Sequence, residues 1–180
     1  MIAPLTSLAL VRYGRIPEVV RCRLAGDLSL ARGTRVVVRT HRGLELGSVI
    51  ELVRRRPEDS DETVSFEILR MASAEDEARA LELSTRLLRE FEPWQRRLEE
   101  WKLDLQLIDL ELTLDGEKQI LYVLNDRGPE CTRLALQAAA GGFGVIEVQP
   151  VSAEGLVSQP KSGGGCGSGG GDGGSCGCSH

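Results

Sequence analysis

The strongest local pattern in the chain is Ser73–Trp101, which has the sequence SAEDEARALELSTRLLREFEPWQRRLEEW. A helix is predicted to begin after Ser73, because a serine hydroxyl caps the first turn and the carboxylates at 75–77 favour the positive helix end. Apolar residues then recur at spacings of four, three, four and three, so they line a single helix face. These residues are Leu87, Phe91, Trp94, Leu98 and Trp101. We expect a long amphipathic helix that places both tryptophans in the core.

Pro93 interrupts this apolar face. Proline inside a helix costs about 3 kcal/mol, since it removes a backbone donor and clashes with the preceding turn. The sequence therefore predicts a kink or a restart of the helix near Glu92.

The segment after the helix predicts a small sheet. Apolar runs at Leu105–Leu114 and Glu117–Leu124 flank Asp115-Gly116, the favoured dipeptide of a two-residue type I′ hairpin turn. A short helix at Pro129–Ala140 and a strand at Val145–Gln149 follow. The order helix, strand, strand, helix, strand lets both helices cover one face of the sheet, which is an α+β arrangement.

The segment before the helix predicts a small SH3-like β-barrel, because short β-branched runs alternate with turn glycines. The expected strands are Leu8–Arg12, Val19–Leu24, Arg35–Thr40, Leu44–Val53 and Phe66–Met71. We expect three segments: a barrel-like lobe at 1–67, an α-β-β-α-β lobe at 68–155, and a Gly/Cys-rich tail at 156–180. Ten of the 21 glycines lie at 163–177, so the tail is expected to be flexible and disordered.

Charge is distributed unevenly along the chain. The net charge is -5, yet residues 1–56 hold eleven arginines against four acidic residues. This excess indicates either ordinary solvated hairpins or a surface that binds RNA, DNA or an acidic partner. Against base stacking, Tyr13 is the only aromatic residue in this segment. The candidate contact residues are Arg12, Arg15, Arg21, Arg23, Arg35, Arg39, Arg42, Arg54, Arg55 and Arg56.

The residue types favour a binding module rather than an enzyme. Only two histidines are present, His41 and His180, and neither has an evident catalytic partner in the sequence. No apolar run reaches the roughly 20 residues of a membrane span, and the N-terminus lacks the pattern of a secretory signal. We therefore expect a cytoplasmic protein without membrane insertion. Its odd number of cysteines, five, fits that compartment better than a disulfide framework.

The tail contains a candidate metal site formed by Cys166, Cys176, Cys178 and His180. Three thiolates and one imidazole suit zinc, and could also suit copper(I) or an iron–sulfur cluster. The alternative interpretation is a low-complexity tail with incidental thiols. Cys22 and Cys131 are expected to pack as small buried apolar residues.

Two stretches of the chain resemble a known family. The first is Gly26–Val49, in which Arg42–Gly47, RGLELG, is most distinctive, and the second runs from Ile68–Asp76 to the hairpin at Asp109–Gly116. They resemble the PSP-type (polymerase suppressor protein) C-terminal domain family and its bacterial RicT/YaaT-like members. The resemblance implies a cytoplasmic, non-catalytic regulatory subunit or adaptor that meets small helical proteins and modulates RNA processing. It also implies a short form that lacks the Cys-rich extension of those members.

Overall fold

The computed structural model describes residues 7–26, 28–54, 64, 66–125 and 128–157. A closed five-stranded barrel comes first, followed by a long helix and a four-stranded sheet with a second helix. The predicted α+β class is confirmed. Of the tail predicted at 156–180, residues 158–180 lie outside the described ranges, while Leu156 lies in a short strand.

All five predicted barrel strands are present. Their bounds are β1 Ser7–Tyr13, β2 Glu18–Leu24, β3 Arg35–Arg39, β4 Leu44–Arg54 and β5 Phe66–Met71. The order is β1-β2-β5-β3-β4, and β4 pairs back onto β1 to close the barrel. Only the β2–β5 contact is parallel among these described pairings. Because β5 pairs with β2 and β3, the barrel extends past residue 67, while the division into lobes stays a prediction.

Small apolar side chains fill the barrel interior. Val11, Val36 and Ile68 are fully buried there, and so is Cys22. Burial raises the pKa of the Cys22 thiol to about 12, so it packs as the expected apolar residue. At Gly47 an added Cβ would lie 2.5 Å from Val11 Cγ1, so only glycine fits at this point of the β1–β4 pairing.

Helix α1 spans Ala74–Glu100 and begins as predicted. The Ser73 hydroxyl accepts the Asp76 backbone N–H at 3.2 Å, and the Asp76 carboxylate accepts the Ser73 N–H at 2.8 Å. Hydrogen bonds from Arg70, and then from Ser73, hold the pKa of Asp76 far below its ordinary value. The sequence thus located the helix start because the capping chemistry is local.

The helix runs through Pro93 without interruption, so the predicted restart is wrong. Trp94 and Leu98, just beyond the proline, are 1% and 3% exposed and belong to the same core cluster as Leu87. Their burial offsets the local cost of the proline. The prediction that the tryptophans are core residues is confirmed for Trp94, and Trp101 packs against that cluster.

The second sheet has the order β6-β7-β8-β9. Its strands are β6 Gln106–Leu112, β7 Lys118–Leu124, β8 Val145–Ser152 and β9 Gly155–Leu156, and helix α2 spans Pro129–Ala140. Strands β6 and β7 form the predicted antiparallel hairpin, and β7 and β8 are parallel across α2. The short strand β9 was not expected from the sequence.

The β6–β7 turn differs from the predicted type I′ form, which requires positive φ at both central residues. Gly116 has φ +76°, but Asp115 is not among the described residues with positive φ. Instead, Gly116 donates its N–H to the Thr113 carbonyl at 2.8 Å, and Thr113 donates its hydroxyl to the Asp115 carboxylate. The side chain of Asp115 thus selects a longer turn than the dipeptide alone indicated.

Strand β7 is covered on both faces. Leu121 and Val123 pack into the cluster with α1 and α2, so both helices lie on one face as predicted. Ile120 and Tyr122 are equally buried on the opposite face, where Ile16 of the β1–β2 turn packs against them. The barrel therefore contacts the second sheet opposite the helices, and this junction positions the candidate site.

Candidate binding site at the junction of barrel and sheet

The β3–β4 hairpin holds the barrel against the β6–β7 hairpin. Leu114 donates its N–H to the Leu44 carbonyl at 2.6 Å, and Leu44 donates its N–H to an Asp115 carboxylate oxygen at 3.2 Å. Gly43 has φ +143°, and a Cβ there would lie 3.1 Å from the Asp115 carboxylate. The Arg42–Gly47 stretch thus builds the junction between barrel and sheet.

Arg42 lies at the centre of this junction with a side chain that is 1% exposed. Its guanidinium approaches four carboxylates, those of Glu18 at 3.3 Å, Glu147 at 3.6 Å, and Glu45 and Glu111 at 3.7 Å each. It also donates a hydrogen bond to the Tyr122 hydroxyl at 3.1 Å. We call these six residues the junction cluster. It joins β2, β4, β6, β7 and β8 through one buried cation.

Burial controls the ionisation of the junction cluster. Burial raises the pKa of Glu45 to about 7, while the Thr40 hydroxyl bond and nearby Arg42 act in the opposite direction. For Arg42, burial alone would lower the pKa, but Tyr122 and Glu45 outweigh it and the net shift is upward. Several carboxylates share one guanidinium, so Arg42 stays charged, whereas burial favours the neutral form of Glu45.

A cavity of about 140 Å³ lies beside the junction cluster. Leu83 and Leu87 of α1 and Leu110 and Leu112 of β6 form its apolar wall. The remaining lining residues include Glu45, Glu111 and Arg15. Arg15 is paired with Asp109 at 2.7 Å and its side chain is 48% exposed. The cavity therefore combines an apolar wall with a carboxylate end.

A second apolar feature lies on the outer side of helix α1. Leu81 and Leu88 are 70% and 71% exposed, although both are large aliphatic side chains. A smaller cavity of about 40 Å³ lies between Leu88 and Phe91 of α1 and Asp109 and Leu110 of β6. We call this region, formed by Leu81, Leu88, Phe91 and the adjoining edge of β6, the helix groove.

The ten predicted contact arginines do not form one surface. Arg42 is buried in the junction cluster, Arg15 pairs with Asp109, and Arg35 pairs with Glu77 at 2.8 Å. The guanidinium of Arg42 is therefore not accessible to a nucleic-acid phosphate. Besides Arg35, four of the ten lie exposed on barrel strands, namely Arg12, Arg21, Arg23 and Arg39. The side chain of Arg54, and all of Arg55 and Arg56, lie outside the described part of the chain.

Two of these arginines line a wide groove of about 500 Å³ on the barrel. Arg23 and Arg39 border it together with His41 and Phe66. The rings of His41 and Phe66 stack with centroids 5.7 Å apart. Phe66 reaches this surface from β5, so the sequence-based count of aromatic residues in the basic segment missed it.

The candidate metal ligands Cys166, Cys176, Cys178 and His180 lie outside the described residues, so zinc or iron–sulfur binding by the tail stays a prediction. Within the described ranges, no three or more His, Cys, Asp or Glu side chains are grouped to hold a metal ion. No helix in those ranges combines the length and apolar character needed to cross a bilayer.

The sequence interpretation named Arg42 but missed the other five members of the junction cluster, which are Glu18, Glu45, Glu111, Tyr122 and Glu147. One signal was present, since Arg42 and Glu45 are opposite charges three residues apart around a turn glycine. That pattern is typical of exposed hairpins too, so it could not show that both side chains are buried.

Comparison with known proteins gives one weak relative. The chain is 28% identical over 133 residues to the Stage 0 sporulation protein YaaT of Bacillus subtilis (strain 168). The matched region covers 73% of this chain and 47% of the relative, so the chain spans about half the length of that protein. No protein-family model matches the chain, and no solved structure matches it. The similarity supports a YaaT-like relationship, while the PSP-type domain and the short form stay predictions.

Proposed function

We propose that this chain is a non-enzymatic regulatory adaptor that binds a helical protein partner through the helix groove, in a complex that modulates RNA processing. The similarity to a stage 0 sporulation protein supports a regulatory role. A cytoplasmic location is part of this proposal, as is the small size and helical character of the partner.

The exposed pair Leu81 and Leu88 carries the proposal. Seven residues of helix place them on one face, about 10 Å apart along the axis. Each exposes about 70% of its surface, and Phe91 lies partly buried at the edge of the same face. Apolar anchors at this spacing suit an amphipathic partner helix that packs along α1.

A native pull-down, quantified by mass spectrometry, tests this proposal. It compares the wild-type chain with the double variant Leu81→Glu, Leu88→Glu. Both side chains are exposed, so the fold should be retained, and loss of a stoichiometric partner is expected. The control is Arg89→Glu, Gln95→Glu, which adds two carboxylates at exposed positions of the same helix. A partner retained equally by both variants would place its binding site elsewhere.

The groove lined by Arg23, Arg39, His41 and Phe66 favours a second candidate function, single-stranded nucleic-acid binding. In such a groove the arginines contact backbone phosphates, and the aromatic ring stacks on a base. Filter binding of single-stranded RNA at low and high salt should show retention that falls with salt. The variant Arg39→Ala, Phe66→Ala should weaken retention, whereas Arg89→Ala should not. No retention at low salt ends this candidate.

A further inference from the structure

The groove on the barrel has the size of a ligand site. Its volume of about 500 Å³ lies within the range of about 300–1,000 Å³ that small-molecule sites occupy. Strands β2, β5 and β3, which are neighbours in the barrel, all contribute to it. The polar and aromatic lining residues are Arg23 of β2, Phe66 and Glu67 of β5, and Arg39, Thr40 and His41 at the end of β3.

The accessible aromatic ring of this groove belongs to His41. Its side chain is 57% exposed, and its ring stacks on Phe66 with an angle of 26° between the ring planes. The Phe66 ring is held in turn by Tyr13, which packs against it edge to face with the centroids 5.7 Å apart. His41 therefore rests on a fixed ring, while more than half of its side chain stays accessible to a base that stacks on it.

Arg39 supplies a cation beside this ring. Arg39 and His41 are exposed on either side of buried Thr40, which is the alternation of an extended chain. Within the described ranges, no ion pair or hydrogen bond involves the Arg39 side chain. Its guanidinium is therefore available to a phosphate, whose oxygens arginine can bind through two parallel hydrogen bonds.

The charge of the groove favours an anion. Glu67 lies opposite Arg23 on one neighbouring strand and opposite Arg39 on the other. Two guanidinium groups thus flank one carboxylate, so the described lining residues carry a net positive charge. Neighbouring strands lie about 4.8 Å apart, which places the two arginines about 10 Å apart across β5. Both long side chains can reach an anion that lies over this strand.

We propose that the groove binds a nucleoside monophosphate unit, with the base stacked on His41 and the phosphate bound by Arg39 and Arg23. The unit is a free nucleotide or one residue of a single strand, because both present the same base and phosphate. This inference rests on the groove of the second candidate function and assigns a role to each of its residues. Phe66 supports the His41 ring from behind.

An NMR titration of the full chain tests the proposal. It compares AMP with adenosine, which lacks the phosphate, and with ribose 5-phosphate, which lacks the base. AMP should shift the signals of the residues lining the groove and bind at least about tenfold more tightly than either fragment. No binding of AMP, or equal affinity for AMP and ribose 5-phosphate, overturns the proposal.

Octa-adenylate RNA distinguishes the two sources of the ligand. Binding at least about tenfold tighter than that of AMP assigns the groove to a strand, and equal affinity assigns it to the free nucleotide. RNA retained on filters without any shift of groove residues by AMP would overturn this inference alone. Binding of AMP without retention of RNA would end the second candidate function and keep the nucleotide site.

Three variants separate the base from the phosphate. His41→Ala should weaken AMP binding at least about fivefold and leave ribose 5-phosphate unaffected, because only the stacking ring is lost. His41→Phe keeps a ring and should bind AMP as wild type does, whereas Arg39→Ala should weaken both probes. The matched control is Arg12→Ala, an exposed arginine of β1 that does not line the groove. Equal losses in Arg12→Ala and Arg39→Ala would contradict the assignment.

Discussion

Arg35 and Arg42 lie seven residues apart and carry the same charge, yet they occupy opposite environments. Arg35 is 46% exposed and pairs with one carboxylate of α1, Glu77. Arg42 is 1% exposed and lies within 4 Å of four carboxylates from four different strands or turns. Water screens the first pair, whereas the second cation is shielded from water and neutralises buried Glu45 together with three partly buried carboxylates.

The difference shows how burial assigns a role to a charged residue. An exposed ion pair contributes little because water replaces it readily. A buried arginine cannot be removed alone, since its carboxylates would remain desolvated without a counter-charge. Substitutions at the two arginines and at the groups around them should therefore differ widely in their effect on stability.

Arg42→Ala should lower the free energy of unfolding by about 3–5 kcal/mol, because it leaves buried Glu45 and three partly buried carboxylates without their cation. Urea unfolding at pH 7, followed by circular dichroism, measures the change. A loss below about 1 kcal/mol would show that water enters the junction and solvates the cluster.

Glu45 should make the protein less stable as pH rises. Its pKa is about 7 in the folded protein against an ordinary value of 4.5, so the folded state binds the proton more tightly. Its stabilising contribution is complete below pH 4.5 and is lost as pH rises through 7, by up to about 3 kcal/mol.

Urea unfolding of wild type and Glu45→Gln between pH 5 and pH 8 isolates this contribution. The variant should show a flatter pH profile across that window, since glutamine does not titrate. Parallel profiles would mean that another group is responsible for the pH dependence.

Ser73→Ala should cost about 1 kcal/mol of stability, because the first turn of α1 loses its side-chain acceptor. Thr85→Ala is the control, as an exposed position in the middle of the same helix. Thermal unfolding of both variants gives the comparison, and an equal effect would remove the special role of the cap.

Arg35→Ala should change the free energy of unfolding by less than about 1 kcal/mol, since both partners of its ion pair are about half exposed. The small difference from wild type should shrink further in 0.5 M salt, which screens exposed pairs. A loss as large as that of Arg42→Ala would erase the contrast between the two arginines.

The features that were predicted correctly depend on residues that are close together in the sequence. The five barrel strands, the Ser73 cap and the apolar face from Leu87 to Trp101 follow from patterns within a few residues. The same reasoning predicted a kink or a restart at Pro93, and the restart is wrong because packing beyond the proline keeps α1 continuous. It also failed at Asp115, whose carboxylate bonds to Thr113 and to Leu44 of the barrel.

The junction cluster could not be predicted, because its residues lie far apart in the sequence. Glu18, Glu45, Glu111 and Glu147 are dispersed over 130 residues of sequence, and only the contact between barrel and sheet brings them to Arg42. Phe66 likewise reaches the basic groove because β5 pairs with β2 and β3.

Hydrophobic periodicity and capping act over short spans, so the α+β class, the order of the elements up to β8 and the chemistry of the helix cap could be predicted from the residues. Which arginine is buried, where an aromatic ring joins the basic groove, and that Glu45 lines a cavity could be seen only in the folded chain. Burial and proximity between distant residues depend on how the barrel packs against the second sheet.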